Sequence, residues 1–402
     1  MRGEELRTPG ARRFEGSTTQ PRDEQTRGVS EYLGVEPQYP LIRQSTMSDY
    51  QLCPRYFMLK HRFGLRAIRG KRSSALTIGT FVHQLLAGHF MGEPDQRTVE
   101  RCGLLIEERR QALEQDTSPL VDPDADLRKM EQELALARTM VDCYRELHPH
   151  NPRYSVLMVE KTLRAHVKGV AAPLEGTVDL VIQDHEKGGV WIPDFKTTNA
   201  RSCPPLVRAA TTSFEDQPQH YRILVNEAVE MPVLGSVHII LAKPPLVFGK
   251  EDRPYEWYNF TPSRGKNKGV TRKEKRYLSE TPSYDVYLRR VRDWLLGEGD
   301  YAIEAVDRQT NPMIAEVWNS FGSTPIISAE YREKLIEMGR ASRCNTRLER
   351  FPRYKKGCFM YRRVCEYLGL CQTNPRGWRP IVAAQYEAVP LTVGETDGTQ
   401  EP

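Results

Sequence analysis

No stretch of the 402 residues approaches the roughly 20 consecutive apolar residues that a bilayer-spanning helix needs, which excludes such a span. The opening MRGEELR carries no apolar run either, so a secretory leader is not expected and a soluble, cytoplasmic protein is. Neither sign of charge dominates: 58 Lys and Arg face 53 Asp and Glu, and the formal net charge of +5 selects no partner by itself. Internal repeats and long low-complexity tracts are missing, as is a G-x-x-x-x-G-K-[ST] loop, which excludes a phosphate-cradling P-loop motor. Close C-x2–4-C pairs are also missing, so the commonest zinc frameworks do not fit the eight cysteines.

What is present is a chain long enough for one large domain with insertions or for two domains. Residues 1–40, rich in Arg, Gly, Thr, Gln and Pro, read as a disordered arm, and 386–402 as a disordered tail. A single domain over 41–385 is expected between them. Its first part, 45–150, reads as helical. Thr46 and Asp49 suggest a capping box, Pro54 belongs near a helix start, and Ile78, Phe81, Val82, Leu85 and Leu86 form the buried stripe of a helix over 75–90. Two helices over 97–147 should break near DTSPLVDPDAD.

The texture then changes to strands at 154–163, 174–183, 189–198 and 236–243, with a helix in SFEDQPQHYRILVNEAV between the last two. This order predicts an α/β core with a central mixed sheet flanked by helices. A basic, Pro/Gly-punctuated insertion over 245–280 follows, then helices from about 284 to 340.

Two basic runs stand out of the balanced background. RGKNKGVTRKEKR, residues 264–276, has seven basic residues and one acid, and 340–363 has nine against Glu349 alone. Both favour contact with a polyanion. Phe351, Tyr354, Phe359 and Tyr361 are interleaved with the second run, as stacking on single-stranded bases would use.

The strand pair GTVDLVIQDHEKGGVWIPDFKTT is the centre of the chemistry. If residues 185–188 form a four-residue hairpin loop, residue i pairs with 373 minus i and Asp179 lies opposite Asp194, with Lys196 on the same face. Opposed Cβ atoms sit about 4.5–5.5 Å apart, so two carboxylates there must share a proton or bind a cation. Beside one ammonium, their oxygens suit Mg²⁺ or Mn²⁺. His83 on the second helix, Glu160 at the end of the first strand, and Gln217 and Tyr221 spaced i, i+4 on one helical face are each unremarkable alone.

In chain order, however, CPRYF, GTFVHQLL with His83, Asp179, Asp194-Phe195-Lys196 and Gln217-x-x-x-Tyr221 resemble the PD-(D/E)XK nuclease superfamily, and within it the RecB-like branch of AddB-type, CRISPR-associated and phage exonucleases. The likeness covers roughly 45–243 and the cysteines at 358–371, and implies a restriction-endonuclease-like α/β fold. By that resemblance His83, Asp179, Asp194 and the Phe195 carbonyl bind the metal, and Glu160 matches an acid some members place on the first strand. Lys196 orients the attacking water or stabilises phosphate charge, and Gln217 and Tyr221 support the site or contact DNA.

The implied activity is that of a metal-dependent DNA nuclease, an exonuclease acting on ends or single strands, in an intracellular protein of bacterial or phage type. A catalytically silent nucleic-acid-binding subunit and an RNA-processing nuclease are the alternatives, and any helicase or recombination partner would be a separate chain. The same branch places one iron–sulfur ligand far upstream and three near the C-terminus. Cys53, Cys358, Cys365 and Cys371 occupy those places for a [4Fe–4S] cluster, with zinc as the alternative metal and Cys344 as the rival fourth ligand. The C-x6-C gap departs from the family's usual x2. A cluster there would clamp the C-terminal segment onto the first helix.

Overall fold

The computed structural model describes residues 29–67, 74–114, 122–212, 216–261, 270–298, 312–344, 350–354, 358–360 and 363–389. The chain divides into two units, one of residues 1–40, 45–69 and 341–402, the other of 41–44 and 70–340. The expected arm up to residue 28, the tail from 390, the tip of the basic insertion at 262–269, and Tyr361 lie outside the described residues.

The larger unit holds a five-stranded sheet with three helices before it: α1 (Ser74–Phe90), α2 (Asp95–Glu114) and α3 (Pro123–Leu147). α3 starts on the Asp122 side chain, which accepts from the Ala125 N–H, with Pro123 in the first turn where a missing N–H costs nothing. The strands are β1 (Tyr154–Ala165), β2 (Leu174–Asp184), β3 (Gly189–Asn199), β4 (Val233–Lys243) and a later edge strand, in the order β1-β2-β3-β4-edge. α4 (Pro205–Thr212) and α5 (Gln217–Ala228) connect β3 to β4, which run parallel; the other pairings are antiparallel, so the sheet is mixed as expected.

Downstream, the basic insertion is folded into a two-stranded ribbon of β5 (Tyr255–Phe260) and β6 (Arg272–Tyr277), followed by α6 (Tyr284–Leu296). The helical stretch expected over 284–340 is interrupted: β7 (Ile314–Ser320) is the sheet's edge strand, and α7 (Ala329–Arg343) follows. IAEVWNS carries the β-branched Ile314 and Val317 and the aromatic Trp318, residue types that suit a pleated, half-buried strand.

One face of the sheet, bearing Leu180, Ile182, Trp191, Phe195, Val237, Ile239 and Leu241, forms a continuous core with Phe81, Val82, Leu85 and Leu86 of α1 and with apolar residues of α3 and α6. α5 covers the opposite face. It comes close because Gly176 has no side chain: a Cβ there would meet Leu224 Cδ1 at 2.8 Å and Tyr221 Cε1 at 3.3 Å.

The smaller unit brings both ends of its chain segments together. A helical turn, Val29–Leu33, buries Val29, Tyr32 and Leu33, and a strand, Leu65–Ala67, pairs with Tyr386–Ala388. Order thus extends into both segments assigned to the arm and tail, because short apolar islands there are diluted in a composition average. Pro54 opens a new short helix, Pro54–Phe57, after the helix Gln44–Leu52 ends at Cys53. Arg62 is buried and donates to the carbonyls of Gln38, Ala341 and Cys344, which satisfies its guanidinium.

Candidate active site

The β2–β3 hairpin forms with the expected register, since Ile182, Gln183 and Asp184 pair with Trp191, Val190 and Gly189. Asp184 builds its turn: it accepts from the N–H groups of Glu186 and Lys187, from Trp191 Nε1, and from Nε and Nη2 of Arg153. Gly188 supplies the left-handed residue that closes the loop, at φ 64°.

The ladder stops after those three pairs, so Asp179 and Asp194 are not ladder partners as the extrapolated register implies. The reason is Pro193. Alternate N–H groups of a strand point the same way, and the one that position 193 would aim at β2 does not exist. One step further, the Phe195 N–H finds the Asp179 carboxylate instead of a backbone carbonyl, at 2.7 Å. The same alternation turns the Phe195 carbonyl toward this gap.

The residue across from Asp179 is on the other neighbour. Val159 pairs with Leu180 and Lys161 with Val178, which leaves Glu160 facing Asp179 in mid-strand, not at a strand end. Glu160 has φ 46°, the single positive value at a non-glycine among the described residues. A side chain held in that conformation costs roughly 1–2 kcal/mol, and such strain concentrates at functional sites. Glu160 Oε1 is buried without a hydrogen bond.

His83 of α1 reaches both acids, with Nδ1 3.6 Å from Asp179 Oδ1 and 3.8 Å from Glu160 Oε1. Its ring meets the Phe195 ring edge-on, at 5.6 Å between centroids. Donor atoms of His83, Glu160 and Asp179 all lie within 4.8 Å of one another, the only such trio among the described residues. Burial alone would pull the imidazole down, but the Asp179 and Glu160 carboxylates outweigh it and raise His83 to about 10. The two acids thus favour the charged form of the His83 ring.

Asp194 has its own partners. Lys196 Nζ lies 2.9 Å from Oδ1 and 2.8 Å from Oδ2, and Gln217 Nε2 donates to Oδ1 at 3.2 Å. The Gln217 amide also donates to the Tyr221 hydroxyl at 2.9 Å, which fixes its orientation. Burial raises the Asp194 carboxyl, but Lys196 and His238 overcome this and hold it below the usual carboxylate range. Burial pushes the Tyr221 hydroxyl up, and the charges of Asp194, Asp179 and Glu160 push it further, so one tyrosine senses both acid groups.

His238 is the residue that sequence reasoning missed. It pairs with Asp194 across the parallel β3–β4 ladder and lies 3.5 Å from Oδ2, almost fully buried. A histidine within the apolar run SVHIILAK was the available signal, but the parallel register that sets it beside Asp194 is not encoded in loop length.

All seven side chains expected at the metal and catalytic site thus converge, in two linked groups: His83, Glu160 and Asp179, and Asp194, Lys196, Gln217 and Tyr221. The first offers two carboxylates, an imidazole and an unsatisfied oxygen, which is the donor chemistry of a hard divalent cation that keeps waters. The second sets a fixed ammonium beside it.

In the smaller unit the cysteines are free thiols. Cys358 and Cys365 flank a minimal ladder, Phe359–Met360 with Arg363–Val364, and the Cys365 N–H donates to the Cys358 carbonyl at 2.9 Å. This hairpin absorbs the long C-x6-C gap. Burial raises the Cys365 thiol, and Cys358 and Cys53 add to it. Burial likewise lifts Cys371 to about 11, against Arg55 and with Cys365 and Cys53 adding. Cys53, Cys358, Cys365 and Cys371 are therefore electrostatic neighbours; the Cys344 and Cys358 thiols each turn to a nearby backbone carbonyl, of Ala341 and Tyr354.

A family model described as the PD-(D/E)XK nuclease superfamily matches residues 43–372. No curated protein matches the chain. No helix among the described residues is long and apolar enough to cross a membrane.

Proposed function

The chain belongs to the PD-(D/E)XK nuclease superfamily, whose members are metal-dependent nucleases, and on that premise we propose that it is a DNA exonuclease of the RecB-like branch, working at ends or single strands in repair, recombination or phage DNA processing. The observation that carries the catalytic part is the His83–Glu160–Asp179 trio, with its strained, unsatisfied Glu160 beside the Asp194–Lys196 pair. Two acids opposed across a ladder destabilise a sheet, and binding DNA alone gives no reason to keep them. This disfavours a catalytically silent subunit.

Bound Mg²⁺ or Mn²⁺ supplies a water that is nucleophilic near neutral pH and neutralises charge on the scissile phosphate. His83, Glu160, Asp179 and Asp194, with the Phe195 carbonyl, are the residues that would hold it. Lys196 keeps a positive charge where negative charge develops on the phosphate oxygens, and needs no rearrangement to do so. Gln217 holds Asp194 from the other side, and Tyr221 locks Gln217 in the donating orientation. The Phe195 N–H fixes one Asp179 oxygen and leaves the other turned toward His83.

The proposal extends to a [4Fe–4S] cluster on Cys53, Cys358, Cys365 and Cys371, supported by the shared electrostatics of these thiols and by the hairpin that sets Cys358 across from Cys365. Its role would be to tie the segments of the smaller unit together. A helicase or recombination partner would be a separate chain.

The test is digestion of end-labelled linear DNA, closed circular DNA and RNA of matched sequence, with Mg²⁺, Mn²⁺ or EDTA. Metal-dependent loss of linear DNA with the circle spared supports the proposal. Cutting of the circle at the same rate overturns the exonuclease reading, and preferential loss of RNA overturns the choice of DNA.

A further inference from the structure

We propose that one face of the β5–β6 ribbon is a docking surface for single-stranded DNA, an inference that rests on the nuclease reading and names how its substrate is held. The ribbon register pairs Tyr255 with Tyr277, Trp257 with Lys275 and Asn259 with Lys273 on one face, and Glu256 with Arg276, Tyr258 with Glu274 and Phe260 with Arg272 on the other. Side chains alternate, so the two faces share no residue.

The faces differ in charge. Both acids of the ribbon lie on the second face and neutralise its arginines, Glu256 with Arg276 at 3.2 Å and Glu274 with Arg272 at 2.6 Å. Tyr258 also donates to Glu274 there. The first face contains no acid, two lysines and three aromatic rings. Trp257 and Tyr277 are 52% and 43% exposed, which is far more than stapling two strands together requires. Lys275 lies over the Tyr255 and Trp257 rings, at 4.4 and 5.0 Å from their centroids, and Arg253 over the Tyr277 ring at 4.0 Å, so cations are held along the same row as the aromatic rings.

This is the combination that single strands use: flat rings that accept any base, and cations that follow the backbone. The chemistry is specific in a second way. Paired bases in a duplex keep their faces covered by neighbouring pairs, so the exposed rings favour an unpaired strand.

The ribbon is also held for the purpose. A lone two-stranded hairpin is marginal in water, but the base of this one is fixed to α6. Arg290 bonds Asp252, which is fully buried, and the Val247 carbonyl, while Asp252 accepts from the Gly249 N–H. Farther out, the Thr261 and Thr271 hydroxyls bond each other across the strands at 2.9 Å.

The test is fluorescence anisotropy of a labelled thymidine oligonucleotide and of a matched duplex, with the full chain in EDTA so that nothing is cut. Trp257→Ala should weaken single-strand binding on the order of tenfold, with Trp257→Phe restoring most of it. Lys273→Ala should weaken it and lower the salt slope by about 0.7. Arg276→Ala, on the neutralised face, should change little, and thermal melting should be unaltered in all variants. Wild-type affinity in Trp257→Ala overturns the proposal, as does an equal loss in Arg276→Ala and Lys273→Ala, an equal loss for duplex, or competition by polyglutamate as strong as by unlabelled oligonucleotide. Binding in EDTA is independent of cleavage. A chain that binds through this face without ever cutting DNA refutes the nuclease reading alone, and one that cuts DNA while all variants bind alike refutes this inference alone.

Discussion

Replacing Glu160 should separate the cost of the site from its use. The residue sits at φ 46° in the middle of β1. Glycine reaches that region freely, whereas alanine there costs roughly 1–2 kcal/mol. Alanine recovers about 0.4–1 kcal/mol because its unfolded chain is less free. Glu160→Gly should therefore be more stable than Glu160→Ala by about 0.8 kcal/mol, equivalent to roughly 2 °C in Tm for a unit of this size. Both variants remove the same carboxylate facing Asp179 and His83, so electrostatic changes cancel in the comparison. Melting in EDTA reads this difference. Both variants should lose most nuclease activity, and saturating Mn²⁺ should raise their Tm less than it raises that of the wild type. An alanine variant as stable as the glycine variant would refute the idea that backbone strain is spent on presenting this acid.

Two further outcomes are expected. His83 is raised to about 10 by its acidic neighbours, so its charged form stabilises the metal-free fold fully below its ordinary value of 6.5, and that contribution is lost as pH rises through about 10. A metal needs the neutral ring, so Mn²⁺ binding at pH 8 should release close to one proton, and apparent affinity should climb between pH 7 and about 10; calorimetry in buffers of different ionisation heat measures this, and a proton count near zero contradicts it. Protein purified without oxygen should carry iron and a thiolate-to-iron absorbance that Cys53→Ser, Cys358→Ser, Cys365→Ser and Cys371→Ser each abolish and Cys344→Ser preserves. Stoichiometric zinc without that absorbance would refute the iron assignment.

Much of the central sheet was legible because its strands are long apolar runs bounded by turn residues, and the hairpin register followed from a four-residue loop. The early end of that ladder was legible only with hindsight, since Pro193 was visible but its consequence depends on which way its missing N–H would point. Glu160 was underrated for a related reason. Its partner is set by a bulge near Leu157, which shifts the β1–β2 register by one and cannot be counted from sequence. β7 was hidden because it is a short edge strand in a region of helix-favouring composition, and His238 because a parallel partner lies a whole crossover away. The wide cysteine gap became intelligible once a hairpin filled it.

The most direct measurement is single-turnover cleavage of an end-labelled oligonucleotide against Mn²⁺ concentration, for wild type, Asp179→Asn, Asp194→Asn and Lys196→Ala. The account predicts fast metal-dependent cleavage by the wild type alone. Both aspartate variants should need far more Mn²⁺ and still fail, while Lys196→Ala should be slow at every concentration, with losses of at least the 10²–10³-fold order typical when one transition-state charge partner is removed. Wild-type cleavage by any of the three, or full activity of the wild type in EDTA, would contradict it.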